Sequence, residues 1–280
     1  MTERFLLQPA LADLADTGAG SRWVRSGGVR LHVLDYGGNG VPLLVVPGIT
    51  SPAIALDFVV RELVDLVRPV VLDVRGRGLS DTGDDVGTTA CVADVAAVVE
   101  ELQLDRPILL GHSMGARIAA VAAARGAVTP RGSVLVDPPM SGPGRGPYPT
   151  TLAAFLGQLA EAQRGTTADE VARSWPRWPR REQELRARWL SSCSADAVTE
   201  THRGFEHENF FDVWPSVPGP VTLVHGAESP VVTAAGAAEA AATHPAAELV
   251  AVPGAGHMVF WDAPAAALAA TRTALSSMLD

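Results

Sequence analysis

The chain has 280 residues, 47% of them apolar, and a formal charge of −9. That length suits one large α/β domain with an insertion, and the apolar fraction excludes a disordered chain. The acidic balance argues against nucleic acid or an anionic membrane as a partner, because both demand basic surface. All 22 basic side chains are arginine, which excludes chemistry routed through a lysine Schiff base.

From the N-terminus, Met1-Thr2-Glu3-Arg4 lacks the cationic start and apolar run of a signal peptide. No later stretch approaches the ~20 apolar residues that span a bilayer. Residues 1 to about 20 read as a short helical or loose lead-in. Strands follow around Trp23-Val24 and 29–34, joined by a turn at Gly27 and Gly28. A buried strand at 43–46 ends in Pro47-Gly48-Ile49-Thr50-Ser51, and a helix is predicted over 53–67. Next come a strand at 69–72 and a glycine-punctuated loop, 73–81. That loop lacks the pattern of a phosphate cradle and reads as ion-paired structure around Arg75 and Asp81. Thr88 or Thr89 caps a helix running to about 102, and the apolar run Ile108-Leu109-Leu110 follows. Further strands fall at 133–136, 221–224 and 249–252, with Ala-rich helices near 233–242 and 263–270.

Strands and helices alternating at this spacing predict a doubly wound, mostly parallel sheet. The gap from 141 to 216 breaks that rhythm and reads as a helical cap inserted into a core of 1–140 and 217–280. Its arginines are interleaved with Trp175, Trp178 and Trp189. Most of these arginines belong to a solvated, ion-paired face, but one turned into a cleft is the natural receiver of a carboxylate substrate. Arg145 and Tyr148, at the cap entrance, are candidates for the same contact.

The most informative segment is Gly111-His112-Ser113-Met114-Gly115, set between an apolar strand and an Ala-rich helix. Strand, Gly-x-Ser-x-Gly and helix occur in the order a nucleophile elbow requires. A serine hydroxyl needs a base, and His257, in the loop after the last strand, is the strongest of seven histidines. His112 should point away from the substrate and serve structure; His225 ends a strand near the site; His32, His202, His207 and His244 read as core or surface residues. The acid assigned is Asp137, in Leu135-Val136-Asp137-Pro138-Pro139, with Glu228 as the alternative. The position after the next strand where many such enzymes carry Asp holds Ser229. The oxyanion donors are the amides of Met114 and of Ile49, after Gly48. Cys91 and Cys193, far apart and without metal-type spacing, read as reduced buried thiols.

On these residues the chain resembles the α/β-hydrolases over essentially its whole length. More narrowly it is similar to the N-formylmaleamate deformylases of aerobic nicotinate breakdown. The matching segments are residues 46–54, 72–80, 111–117 and 136–144. The acid after the strand that follows the nucleophile is also used by a related hydrolase acting on acetamidomethylene-succinate. The resemblance implies cleavage of a C–N bond in a small anionic N-formyl amide, with no metal and no organic cofactor. It extends to Leu185-Arg186 and Trp189-Leu190, which adds Arg186 and Trp189 to Thr50 and Ser51 as candidate substrate contacts. A carboxylesterase or C–C hydrolase, a cofactor-free perhydrolase, and a receptor that binds without turnover remain open on the same scaffold. The expected partner is a small molecule, the expected location cytoplasmic, and the sequence is compatible with a homo-oligomer.

Overall fold

The computed structural model describes Leu6 and residues 8–280. The Met1–Arg4 stretch on which the absence of a leader was read lies outside them. A helix α1 (Gln8–Ala15) leads into strands β1 (Gly20–Ser26), β2 (Val29–Asp35), β3 (Val41–Val46) and β4 (Val67–Leu72). Three short helical turns between Ala53 and Leu63, the middle one α2 (Asp57–Val60), replace the single helix expected over 53–67. The stretch is rich in valine, a weak helix former. Buried Asp57 also turns inward to accept hydrogen bonds from Tyr36 and Arg181. These tertiary partners outweigh the helical pattern.

The chain continues through α3 (Thr88–Glu101), β5 (Ile108–His112), α4 (Met114–Ala124) and β6 (Gly132–Val136). Gly87, rather than Thr88 or Thr89, occupies the position that precedes α3. Between β6 and β7 lie α5 (Leu152–Arg164), α6 (Ala168–Ser174), α7 (Arg180–Trp189) and α8 (Ala195–His207). The chain closes with β7 (Val221–Gly226), α9 (Ala234–Thr243), β8 (Glu248–Val252), a short turn α10 (Val259–Asp262) and α11 (Pro264–Leu279).

The eight strands form one sheet in the order β1-β2-β4-β3-β5-β6-β7-β8. β1 and β4 run antiparallel to β2, and every other pairing is parallel. Successive side chains of a strand point to opposite faces, and here both faces are covered. Leu44, Val46 and Leu109 pack on one side with Val95 and Val98 of α3 and Ile118 of α4. Leu43, Val45, Ile108 and Leu110 pack on the other with Ile54, Val60 and Leu275 of α11. Double coverage explains why the central strands are unbroken apolar runs.

After β3 the chain steps outward to β4, whereas after β5 it proceeds to the opposite edge. The C-terminal ends of β3 and β5 therefore flank a topological switch point, where open α/β sheets leave a crevice. Gly48-Ile49 and Ser113 leave the sheet there. Among the described residues, no helix is long and apolar enough to cross a membrane.

Two glycines permit the tight junction of β5 and α4. A Cβ at Gly115 would run into the backbone oxygen of Val46, and one at Gly111 into the backbone of Gly115. Both obstacles are backbone and cannot swing aside. Gly115→Ala is therefore expected to lower stability by about 3 kcal/mol or more. Gly28→Ala, in open space, should cost little. Urea midpoints of the two variants check this.

Candidate active site

Ser113 sits in a sharp turn with φ 55° and ψ −117°, a backbone region that L-residues rarely occupy. The turn is held by its own amide, which donates to Val136 O at 2.8 Å, and it lifts the side chain off β5 at the start of α4. His257 arrives from the loop after β8. Its Nε2 lies 3.0 Å from Ser113 Oγ, and its Nδ1 lies 2.7 Å from Asp137 Oδ2. With the imidazole proton on Nδ1, His257 donates to the carboxylate and its Nε2 accepts from the serine hydroxyl.

Asp137 leaves β6 with φ 48° and has no exposed side-chain surface. Its carboxylate accepts from the Gly226 amide at 3.0 Å and from Ser229 Oγ at 2.6 Å, in addition to His257. Ser229 occupies the position where an acid was sought, and it supports Asp137 from there. Glu228 is exposed and does not enter the cluster. Ser229 is a supporting residue that its own side chain did not announce. The signal was positional: a hydroxyl at a loop site adjoining the acid.

His112 stays outside the Ser113–His257–Asp137 chain, although it lines the cleft. Burial pulls its imidazole down to about 4, so it is neutral, and its Nε2–H donates to His257 O at 3.0 Å. The residue beside the nucleophile thus anchors the loop that carries the base. His225 bonds to the neighbouring Gly226 O and stays outside the cleft. The amides of Ile49 and Met114 donate to no protein acceptor among the described residues. Gly48, before Ile49, lets the loop pass close to His112: a Cβ there would lie 3.2 Å from His112 Nδ1. Buried Arg77 steadies this loop. Its Nε donates to Ile49 O at 3.1 Å, and its Nη2 donates to Ala197 O and Thr201 Oγ1 of α8.

A cleft of about 520 Å³ opens over Ser113. Gly48, Ile49, Thr50 and Ser51 form one wall; Tyr148, Thr150, Phe155, Gln158, Trp175, Trp178 and Arg186 form the roof. Burial draws the Arg186 guanidinium down to about 10, where it still carries its charge at neutral pH. It retains some accessible surface and lines the cleft. Its hydrogen bonds go to neutral oxygens: Thr50 O at 2.7 Å, Thr50 Oγ1 at 2.9 Å and Gln158 Oε1 at 3.4 Å. Its neighbours behave otherwise. Arg180 pairs with Asp169, Arg181 with Asp57 and Arg188 with Asp13.

Two sequence candidates are not brought to the cleft. Arg145 is tied to Glu239 on α9 and to Asn209, and stacks over Phe211 at 4.1 Å. Trp189 turns its Nε1–H to Asp13 of α1 at 2.8 Å and lines a separate, adjoining chamber. Tyr148, expected only as a substrate contact, comes within 3.1 Å of His257 Nε2. Thr150, in the bend before α5, and Phe155 and Gln158 of α5 line the cleft without having been foreseen, since neutral residues there carry no chemical signature. Cys91 is buried, which pushes its thiol up to about 11, and Cys193 is buried as well. Among the described residues no cluster of three or more His, Cys, Asp or Glu side chains is arranged to hold a metal ion.

The sheet order, the elbow and this cluster define a class, and the chain belongs to the alpha/beta hydrolase family, whose model matches residues 43–271. Within it, the chain is 42% identical over 241 residues to the N-formylmaleamate deformylase of Pseudomonas putida, covering 85% of this chain and 90% of that protein. It is 30% identical over 268 residues to the 2-(acetamidomethylene)succinate hydrolase of Mesorhizobium japonicum, covering 89% and 92%. A crystal structure of an N-formylmaleamic acid deformylase variant from Pseudomonas putida superposes with a TM-score of 0.85 at 37% identity, covering 90% of this chain and all of that one.

If Asp137 orients the imidazole, Asp137→Ala should lower kcat for hydrolysis of an activated ester by about 10⁴-fold. Ser229→Ala should cost about tenfold, the worth of one hydrogen bond to a charged group. Glu228→Ala should stay within about twofold of the wild type. Steady-state kinetics on purified variants checks all three.

Proposed function

We propose that the protein is a serine hydrolase that removes the formyl group from N-formylmaleamate, giving maleamate and formate. One observation carries the reading. The hydrogen-bonded Ser113–His257–Asp137 chain shares its cleft with Arg186, a cation whose hydrogen bonds among the described residues all go to neutral oxygens. The similarity to a deformylase over most of both chains supports the same substrate.

In this reading Ser113 Oγ attacks the formyl carbon as its proton passes to His257 Nε2. Asp137 holds the ring and stabilises its cation. The amides of Ile49 and Met114 receive the oxyanion, and their orientation is already set by the loop and the helix start. The C–N bond then breaks as Nε2–H protonates the leaving nitrogen. A water, deprotonated by the same imidazole, cleaves the formyl-serine and returns Ser113. No step calls on a metal or an organic cofactor.

The substrate's carboxylate is assigned to Arg186, with Thr50 and Ser51 beside it. A guanidinium drawn partly out of water gains most from a charged, bidentate acceptor. Residues 141–216 act as the cap that closes the crevice, with the core in 1–140 and 217–280. A small acyclic amide acid and buried thiols suit a cytoplasmic setting.

Formate release from N-formylmaleamate should greatly exceed turnover of simple p-nitrophenyl esters. Ester hydrolysis without formate release would overturn the deformylase reading in favour of a carboxylesterase. Arg186→Met should raise KM for N-formylmaleamate by about 10²-fold, the ~3 kcal/mol of a charge-assisted contact. The methyl ester of that substrate should bind equally well to variant and wild type. Equal effects on acid and ester would show that Arg186 does not take the carboxylate.

A further inference from the structure

The hydroxyl of Tyr148 is a third polar atom at the reacting centre, and the steps above give it no task. It lies 3.1 Å from His257 Nε2 and within hydrogen-bonding reach of Ser113. The residue is 5% exposed. Its ring packs against Phe205 at 4.7 Å and stacks on Phe155 at 6.1 Å, with the edge of His202 beside it. His202 Nε2–H in turn donates to Thr150 O at 3.0 Å, fixing the chain two residues further on. The hydroxyl is therefore held in place before substrate arrives. Burial raises the phenol's pKa, so the group keeps its proton at any working pH.

A neutral imidazole has one lone pair at Nε2, and two hydroxyls, those of Ser113 and Tyr148, face it. Once the serine proton moves to Nε2, that lone pair is gone, and the Tyr148 hydrogen turns to Ser113 Oγ or to the bound substrate as the tetrahedral adduct forms. The adduct's leaving nitrogen lies against Nε2, which must protonate it. In an N-formyl derivative of a carboxamide, that nitrogen bears a second carbonyl, whose oxygen is about 2.3 Å from it by covalent geometry. A donor 3.1 Å from Nε2 is placed to meet this oxygen.

We propose that Tyr148 is a catalytic residue that donates a hydrogen bond to the carbonyl oxygen attached to the leaving nitrogen, so that the site is built for N-acyl carboxamides. The identity of that leaving group rests on the deformylase reading. As the C–N bond breaks, its electron pair passes to nitrogen and is shared with this oxygen. His257 Nε2–H supplies the proton that completes the carboxamide, and Tyr148 keeps its own. The formyl carbon stays on Ser113 Oγ until water releases formate. A donor aimed at charge that develops only as the bond breaks favours the transition state over the bound substrate.

The test compares Tyr148→Phe with the wild type on N-formylmaleamate and on p-nitrophenyl formate. Both pass through the same formyl-serine, but the phenolate leaving group has no carbonyl beside its leaving atom. The loss of kcat/KM on N-formylmaleamate should exceed the loss on the ester by about 10²-fold, typical for one such donor. Equal losses would overturn the proposal, because a hydroxyl that merely positions His257 or the hydrolytic water, or a ring that merely packs, affects both substrates alike. If the wild type ignores N-formylmaleamate, the deformylase reading falls, and N-formylbenzamide replaces it in the same comparison. A wild type that cleaves the ester but not N-formylbenzamide would sink the role of Tyr148 as well.

Discussion

The buried carboxylate of Asp137 is the constraint on which the site depends. A carboxylate without contact with water is costly unless hydrogen bonds replace its hydration. Three groups do so here: the Gly226 amide, the Ser229 hydroxyl and the His257 imidazole. They come from the end of β7, the loop after it and the loop after β8. Satisfying one charge therefore draws three separate segments to one point at the sheet rim. His257 is pinned twice, by Asp137 at its ring and by His112 at its carbonyl. Little freedom remains in how the imidazole faces Ser113.

The same logic, with the sign reversed, holds for the roof of the cleft. Most arginines between β6 and β7 meet a carboxylate, and several of those pairs fasten the inserted helices to the core: Arg181 to Asp57, Arg188 to Asp13, Arg177 to Asp262. Arg186 lies on the same helix as Arg181 and Arg188 but faces inward, where neutral oxygens solvate it incompletely. Burial destabilises its charge, a cost that the anionic ligand of the proposed function would relieve. The proposed binding preference would thus follow from a local imbalance that folding leaves in place.

Close backbone approach is the third element. Gly115 lies against β3 so tightly that no side chain fits, and this contact brings the Gly48-Ile49 loop and the Ser113 turn together at the switch point of the sheet. Arg77 then ties that loop to α8. The loop carrying Ile49 is thereby coupled to a helix of the inserted segment.

Features governed by neighbours in the chain were legible in the sequence. Apolar runs covered on both faces marked the strands, and the glycines flanking Ser113 marked the elbow, because strand burial and turn sterics act over a few residues. That Asp137 rather than Glu228 would meet His257 was readable from position, yet the part played by Ser229 required three loops to be seen meeting at one charge. The short turns at 53–63 and the fates of Arg145, Trp189 and Arg186 depended on which partner lay nearest across the fold. A charged or aromatic side chain carries the same local pattern whether it faces solvent, a salt-bridge partner or a ligand. Chain-local sterics are written residue by residue, whereas the pairing of polar groups is settled only when distant segments compete for them in three dimensions.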